Sequence, residues 1–423
     1  MSIRNTYPTI RPSLNLDFAR SRKLDPRITF SRTTTGTYMD SDGLIKVASA
    51  DEARFDHKYE DGNIVSLGLL VEESRSNLIT YSEQFDNAAW GTSPSYTVGI
   101  DSTTAPDGTT SAEKLIRNTT NIQAQIYRNI TDTSTNTTYT LSCFCKSAEW
   151  SKIGLREGVS TGYWATFDLS VGEKIDNGAG TTSTITPYPN EWYRISMTLT
   201  TTSTQTSYGV RIIPLPDSYT SGTPYVNQSG NDVDGLYLWG AQLEEGAFPT
   251  SYMPTSASQF TREPDKVSME GDNFSDWYNP TEGTIVLDCT PVYDNSSNQY
   301  RRLVSIHNNS GAQTDVIQFI QAEATNQVLS AVWDGASPQS GFGKVVPSGT
   351  RHKVAFAVKE NNMNASYDGS IGTDDTSATL PVMTEMDIGS YSQFSSTRAT
   401  THYNSLRYYP TRLTNTQLQT LTK

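Results

Sequence analysis

The chain has 423 residues, of which 35% are hydrophobic and 18% charged, and its net charge at pH 7 is −13. This length is sufficient for two or three domains, each with its own core. The acidic balance excludes a general nucleic-acid binder, which needs a basic face. The sequence contains no run of about 20 apolar residues, so it predicts no membrane-spanning helix. Polar β-branched stretches and 10% aromatic residues predict an all-β protein of tandem antiparallel β-sandwiches.

Residues 1–82 are predicted to form an N-terminal arm followed by hairpins. The basic residues up to position 32 are Arg4, Arg11, Arg20, Arg22, Lys23, Arg27 and Arg32, against only Asp17 and Asp25. A basic arm on an acidic body is typical of a segment that attaches to an acidic protein surface, but an ordinary solvated segment has the same composition. Further on, Asp40-Ser41-Asp42-Gly43 predicts a hairpin turn, because Gly43 suits the positive φ that such turns need.

Two adjacent carboxylates, Glu72 and Glu73, follow an apolar run in GLLVEESRSNLITYSEQFDNAAW. A glycosidase needs two carboxyl groups that face one sugar across roughly 5–10 Å. Neighbouring residues on a strand point to opposite faces, so these two cannot act together as such a pair. We expect structural ion pairs with Arg54 or Arg75 instead.

Residues 83–255 contain short strands at regular spacing. They include YTLSCFCKS, YWATFDLS, EWYRISMTLTT, SYGVRIIPL and GLYLWGAQLE. Each alternates apolar and polar residues and ends in a turn, which predicts a two-sheet jelly roll. Cys143 and Cys145, at i and i+2 of one strand, cannot easily bridge each other, so we predict buried free thiols for both and for Cys289, as expected for folding in a reducing cytosol.

A polar, proline-containing linker is predicted at 256–282, and a second series of short strands occupies 283–423. The terminal LTNTQLQTLTK predicts a helix. Thr414 and Gln417 have the spacing of a capping box, and Leu418 and Leu421 share a face.

In TEMDIGSYS, Glu385 and Asp387 project from one face of a strand, as in the Glu-x-Asp-x-x-Glu strand of laminarinase-type glycosidases. The third carboxylate, which would be the acid, falls at Gly389 or Ser390 and is absent. Without an acid to protonate the leaving oxygen the mechanism stalls, so we predict a strand edge and no enzymatic activity. The four histidines, which lack a metal-spaced partner in the sequence, are His57, His307, His352 and His402.

Three linear motifs resemble a known family. They are TFSRTTTGTYMDSDGLIKVASADEARFDH leading into SLGLLVEESRSNLITYSEQFDNAAW, TAPDGTTSAEKL, and GLYLWGAQLEEGAFPTSYMPTSASQFTREPD. The pattern resembles the head-spike or tail-fibre family of tailed phages, particularly marine phages, in which a carbohydrate-binding-module-like jelly roll follows a short N-terminal module. From residue 283 the chain is similar to concanavalin/laminin-G-like jelly rolls, above all in SLRYYPTRLTNTQLQTL.

The resemblance implies a virion structural protein that is assembled in the host cytoplasm. Its N-terminal arm would bind other capsid or tail proteins, and its jelly rolls would project outward toward host surface glycans. Fibres of this kind are usually homotrimers, and by analogy we expect the same of this chain. Residues before Thr33 are then expected to be needed for incorporation but not for folding. The alternatives are a soluble glycan-binding lectin or adhesin and a polysaccharide depolymerase.

Glycan binding requires exposed aromatic faces that stack on the C–H surface of a sugar. The candidates are Trp150, Tyr163, Trp164, Trp277 and Trp333. The Tyr163-Trp164 pair begins a strand after a turn, so one of its rings must face outward. Trp90, Trp192 and Trp239 match framework positions of the family and are expected in the core. The resemblance to both jelly-roll types makes calcium a candidate cofactor, with Asp232 and Asp234 as the nearest carboxylate pair and a simple turn as the alternative.

Overall fold

Antiparallel strands account for nearly all of the regular structure. The computed structural model describes residues 6–93, 95–158, 162–293, 299–309, 314–335, 337–391 and 397–423. Over these ranges the chain forms two antiparallel β-sandwiches, as the sequence predicts, and the three α-helices are short. Among the described residues no helix is long and apolar enough to cross a membrane.

The elements fall into three consecutive groups along the chain. The first group is β1 (Leu14–Asp17), α1 (Phe18–Ser21), β2 (Thr29–Ser31), β3 (Gly36–Met39), β4 (Ile45–Ala48), β5 (Arg54–Glu60), β6 (Asn63–Val71) and β7 (Arg75–Asn77). The second group is β8 (Gly91–Thr92), β9 (Tyr96–Thr103), β10 (Ala112–Arg117), β11 (Ile122–Gln123), β12 (Ile126–Thr131), β13 (Thr138–Ser147), β14 (Lys152–Glu157), β15 (Trp164–Asp168), β16 (Glu173–Asn177), β17 (Thr182–Pro187), β18 (Trp192–Thr200), β19 (Ser207–Leu215), β20 (Asn227–Gln228) and β21 (Gly235–Glu245). The third group is β22 (Phe260–Arg262), β23 (Lys266–Glu270), α2 (Asp272–Ser275), β24 (Glu282–Val292), β25 (Tyr300–His307), β26 (Val316–Ala322), the 3₁₀ turn Glu323–Thr325, β27 (Gln327–Asp334), β28 (Ser337–Val345), β29 (His352–Lys359), β30 (Asn364–Tyr367), β31 (Ser370–Ile371), β32 (Glu385–Ile388), β33 (Thr400–Tyr409) and α3 (Asn415–Leu421).

The first sandwich is built from the second group of strands. One sheet has the order β17-β18-β13-β21-β10-β9 and the other β16-β15-β14-β19-β12-β8. Alternate residues of each strand enter the core between the sheets, where Cys143, Cys145 and Phe167 are fully buried. The three cysteines of the chain are free and buried, as predicted.

The second sandwich includes strands from both ends of the chain. Its eight-stranded sheet has the order β31-β30-β29-β24-β33-β6-β5, with β1 also paired to β33, and its seven-stranded sheet is β2-β23-β32-β25-β26-β27-β28. Residues 1–82, expected as a separate arm and hairpin region, therefore supply β1, β2, β5 and β6 to this sandwich. The physical reason is apolar burial, since Leu14, Leu16 and Phe18 lie in its core.

The predicted linker also contributes to the sheets. β22 pairs with β7, and β23 lies between β2 and β32 in the seven-stranded sheet. Val267 and Met269 of β23 point into the core of the second sandwich. The prolines and polar residues of this segment predict a linker, but its alternating apolar residues form strands, so the linker prediction is wrong.

Several local predictions are confirmed. β3 and β4 pair across the Asp40–Gly43 turn, where Gly43 has φ +80° and Asp40 Oδ1 accepts from the Leu44 backbone N–H at 3.0 Å. The terminal helix α3 has the predicted Thr414–Gln417 capping box, and its Leu418 and Leu421 are buried.

Candidate functional site

Glu72 and Glu73 belong to separate ion-pair networks, as expected for structural carboxylates. Glu72 contacts Arg54 at 2.5 Å and Arg262 at 3.3 Å, all with buried side chains. Glu73 contacts Arg75 at 2.5 Å and Arg301 at 3.0 Å. The predicted partners of the two carboxylates are confirmed, and the two side chains do not face a common substrate position.

A cleft of about 530 Å³ lies where the Glu73 network meets the first sandwich. Its lining includes Glu73, Arg75, Arg301 and Glu323 together with Phe248. These four charged side chains form a continuous chain of ion pairs, since Arg301 also contacts Glu323 at 3.0 Å. Both arginines of the cleft are therefore paired with carboxylates, and Asp132 and Glu245 give its lining a net negative charge.

Glu385 and Asp387 lie in the interior of a sheet, so the predicted strand edge is wrong. β32 pairs with β23 on one side and with β25 on the other. Cross-strand register brings both carboxylates to His307, with Glu385 Oε1 3.2 Å from Nδ1 and Asp387 Oδ2 3.2 Å from Nε2. His307, isolated in the sequence, thus has two acidic neighbours in the fold.

This acidic cluster is closed to solvent. His307 is fully buried, and the ring of Tyr391 meets it edge-on with 4.4 Å between the ring centres. Burial raises the pKa of Glu385, the His307 ring lowers it, and Asp387 raises it further, so the net direction is upward. The clefts described for this structure are lined by other residues.

Two of the aromatic candidates for glycan stacking are buried, so the prediction that they are exposed is wrong. Trp150 is 8% exposed, and Trp277 is 3% exposed and packs against Phe274 and Tyr408 with ring centres 4.9 and 5.0 Å away. Neither residue lies in a strand, so alternation could not place it, and Trp277 belongs to the core of the second sandwich. The three tryptophans expected in the core are confirmed there: Trp90, Trp192 and Trp239.

The remaining candidates, Tyr163, Trp164 and Trp333, are half-buried. Tyr163 packs against the core of the first sandwich. Trp164, the next residue along the chain, points to the opposite face of its sheet, as predicted for a pair at a strand start. Trp333 lies on β27 of the second sandwich, across from Val316.

Trp164 belongs to a row of four large side chains on the outer face of the first sandwich. On the sheet β16-β15-β14-β19-β12-β8, Trp164 is the direct partner of Arg156, Arg156 of Arg211, and Arg211 of Tyr127. We call these four residues the Arg–aromatic row. Because each residue is the Cα partner of the next, their side chains lie side by side across four strands.

Stacking and glycines hold these side chains flat against the sheet. The Arg211 guanidinium lies over the Tyr127 ring at 5.1 Å, and that of Arg156 over the Tyr225 ring at 4.9 Å. A Cβ at Gly91 would overlap the Tyr127 ring, and a Cβ at Gly178 would lie 2.9 Å from Trp164 Nε1. The glycines thus permit close contact between ring and backbone, and the two rings remain partly exposed.

The charges of the row are not neutralised within the described part of the chain. No described carboxylate forms an ion pair with Arg156 or Arg211. Burial lowers the pKa of Arg211 most strongly; Glu157 raises it, and the like charge of Arg156 lowers it again, so the net direction is downward. Glu157 itself is buried on the core side and accepts from the Gly209 N–H at 2.7 Å.

Sequence reasoning found Trp164 but not Arg156, Arg211, Tyr127 or Tyr225. The available signal was an arginine at an outward position in KIGLRE and in SYGVRIIPL, between residues that enter the core. That signal is weak because outward arginines are common on exposed strands. Strand order and register are needed to show that the two arginines are neighbours.

The weak calcium candidates form a turn. Asp232 is exposed with φ +66°, and Asn231 Oδ1 accepts from the Asp234 backbone N–H at 2.8 Å. Within the described ranges no group of three or more His, Cys, Asp or Glu residues is arranged to hold a metal ion.

The basic N-terminal residues lie on the surface of the second sandwich. Arg11, Arg20, Arg22 and Lys23 are exposed, and Arg4 lies outside the described residues. Phe18, which is buried, fixes the short helix that presents Arg20. The cations are therefore held by a folded segment.

No family model matches the sequence, and the search of curated proteins found no match. Solved structures with partial likeness include the CBM40 of the Ruminococcus gnavus IT-sialidase bound to α2,3 sialyllactose, with 14% identity, a TM-score of 0.30, and coverage of 34% of this chain and 84% of that chain. The NanB sialidase of Streptococcus pneumoniae has 11% identity, a TM-score of 0.30 and coverage of 36% and 26%. The binding domain of Botulinum neurotoxin serotype D has 8% identity, a TM-score of 0.30 and coverage of 37% and 39%. Values this low carry no argument about function.

Proposed function

We propose that this chain is a non-enzymatic structural protein of a tailed-phage virion that binds host surface glycans through the Arg–aromatic row. The protein is a spike, fibre or decoration of the particle, assembled in the host cytoplasm as a homotrimer. The linear motifs that resemble the head-spike and tail-fibre family support the virion assignment. Glycan binding is supported by the row itself.

The observation that carries the binding proposal is the position of Trp164 among planar polar side chains. Its indole stands next to Arg156 in the cross-strand register, and Tyr127 lies further along the same row. A sugar presents an apolar C–H face to a ring and hydroxyl groups to neighbouring donors. A partly exposed aromatic ring beside guanidinium groups offers both kinds of contact.

Glycan-array binding of the purified full chain tests this proposal. Trp164→Ala is expected to lower the signal at least tenfold, because it removes the stacking surface. Tyr300→Ala is the matched control, since Tyr300 is 54% exposed but lies on the second sandwich. Equal loss in both variants, or no binding by the unmodified protein, would contradict the proposal.

The virion assignment has its own test in the exposed basic residues. The triple charge reversal Arg20→Glu, Arg22→Glu and Lys23→Glu changes side chains on the surface and is expected to leave the sandwiches folded. We expect it to reduce the amount of the chain found by mass spectrometry in purified particles. Unchanged incorporation would refute attachment through these cations, and absence of the unmodified chain from particles would favour a soluble lectin.

The non-enzymatic assignment is tested with host polysaccharide. We expect no release of reducing ends by the purified chain. Release that disappears in Glu385→Gln would instead identify a depolymerase that uses the β32 carboxylates.

A further inference from the structure

We infer that the Arg–aromatic row selects acidic glycans, with Arg156 and Arg211 binding a carboxylate or sulfate group of the sugar next to the Trp164 ring. This inference rests on the proposed glycan binding at the same face and adds the chemical class of the ligand. It is carried by the pairing of two like charges in a chain whose net charge is −13.

Arg156 and Arg211 are direct Cα partners on β14 and β19. Like charges placed directly opposite each other on a sheet destabilise it, so an acidic chain gains nothing in stability from this pair. Placing one anion between the two guanidinium groups removes the repulsion and adds charge-assisted hydrogen bonds.

Arg156 also carries an unsatisfied buried group. The residue is 8% exposed, and its Nε is buried without a hydrogen-bond partner among the described residues. A buried N–H without an acceptor is costly because it has lost its water. Because this Nε has almost no accessible surface, the groups of Arg156 that can donate to a ligand oxygen are its terminal nitrogens.

The two guanidinium groups are held in place before any ligand arrives. Tyr225 covers one face of Arg156 and Tyr127 one face of Arg211. The hydrogen bonds of Arg211, to the carbonyls of Val210 at 2.8 Å and Arg128 at 3.3 Å, are both donated by Nη1. Such fixed, planar groups suit the two-pronged recognition of a carboxylate or sulfate.

The charges around Arg156 and Arg211 favour an acidic sugar over a nucleic acid as the ligand. A phosphate backbone repeats its charge and needs a basic groove, whereas this chain is strongly acidic and offers two opposed cations beside an aromatic ring. A single acidic sugar residue presents one anionic group together with one apolar face, which matches the row.

Matched pairs of glycans test the inference. The probes are uronate-containing and sulfated oligosaccharides on an array, each beside its carboxyl-reduced or desulfated counterpart, and a dT oligonucleotide. We expect the unmodified chain to bind the acidic member roughly 10- to 100-fold more strongly, as one or two charge-assisted contacts provide. This preference should weaken with added NaCl.

Arg211→Gln is the main variant because Arg211 is half-buried and tolerates change better than Arg156. It is expected to reduce binding of the acidic member to the level of its neutral counterpart, and Arg211→Lys to restore only part of the difference. Trp164→Ala should weaken both members. Lys174→Gln is the control, an exposed cation on β16 of the same sheet.

The outcomes separate the two proposals. Binding of both members with equal strength, or an acidic preference unchanged in Arg211→Gln, would overturn the selectivity and leave glycan binding intact. Absence of binding to either member would overturn both. Stronger binding of the dT oligonucleotide than of any acidic glycan would assign the row to nucleic acid.

Discussion

Glu72 Oε2 lies 2.5 Å from Arg54 Nη1, and both side chains are at most 2% exposed. Arg54 also contacts Asp265 at 2.5 Å, and Asp265 contacts Arg32 at 2.8 Å. The Ser251 backbone N–H, from the segment that leaves the first sandwich, donates to Glu72 at 2.9 Å. A single buried network therefore joins the N-terminal strands, the exit of the first sandwich and the chain that enters the second.

Glu72→Gln should be strongly destabilising. Burial by itself raises the pKa of Glu72, but Arg262 and Arg54 lower it so far that the net pKa lies well below its usual range. Removing the charge leaves buried guanidinium groups unpaired, at a cost of about 3–5 kcal/mol in the free energy of unfolding. Urea unfolding followed by fluorescence measures the effect. Glu73→Gln, in the more exposed neighbouring network, is expected to cost roughly 1 kcal/mol; equal losses would contradict the difference in burial.

Glu113 should make stability fall as the pH rises. Burial, with Asp86 as a lesser cause, raises the pKa of Glu113 to about 8, although the Phe85 N–H donates to it at 2.6 Å. The folded state then holds a proton that the unfolded chain has released, so the contribution of Glu113 to stability is greatest below about pH 4.5 and is lost as the pH rises to about 8. Thermal midpoints across this range should decline less in Glu113→Gln than in the unmodified chain. Glu173→Gln, at an exposed position, should retain the full slope.

The three thiols should be unreactive in the folded protein. Cys143, Cys145 and Cys289 are free and buried, and burial raises the pKa values of Cys145 and Cys289 well above the usual range. The thiolate is the reactive form, so both its low population and its enclosure protect it. Ellman's reagent should detect no thiol in the native protein at pH 8 and three after denaturation. Rapid reaction without unfolding would indicate that a sandwich opens locally.

Deleting the residues before Thr33 should unfold the second sandwich, contrary to the expectation from the sequence. The deletion removes Leu14, Leu16 and Phe18 from the core and Arg32 from its contact with Asp265. Loss of three large buried apolar side chains costs about as much as the whole stability of a typical domain. Limited proteolysis should degrade residues beyond 256 in the truncated chain. A protease-resistant fragment of normal size would show that these contacts are not required.

The alternation of apolar and polar residues by itself determined the all-β class and the turns, because the side chains of a strand point alternately to its two faces whatever the tertiary context. It also required one ring of the Tyr163–Trp164 pair to face outward. Such patterns depend on neighbours along the chain, which the sequence displays directly.

Only the tertiary structure decided which distant strands are adjacent. It placed β1 beside β33, brought His307 between Glu385 and Asp387, and buried Trp150 and Trp277. It also set Arg156 opposite Arg211. These relationships depend on strand order and register, which arise from the packing of the whole core, and one residue of slip would turn each side chain to the other face.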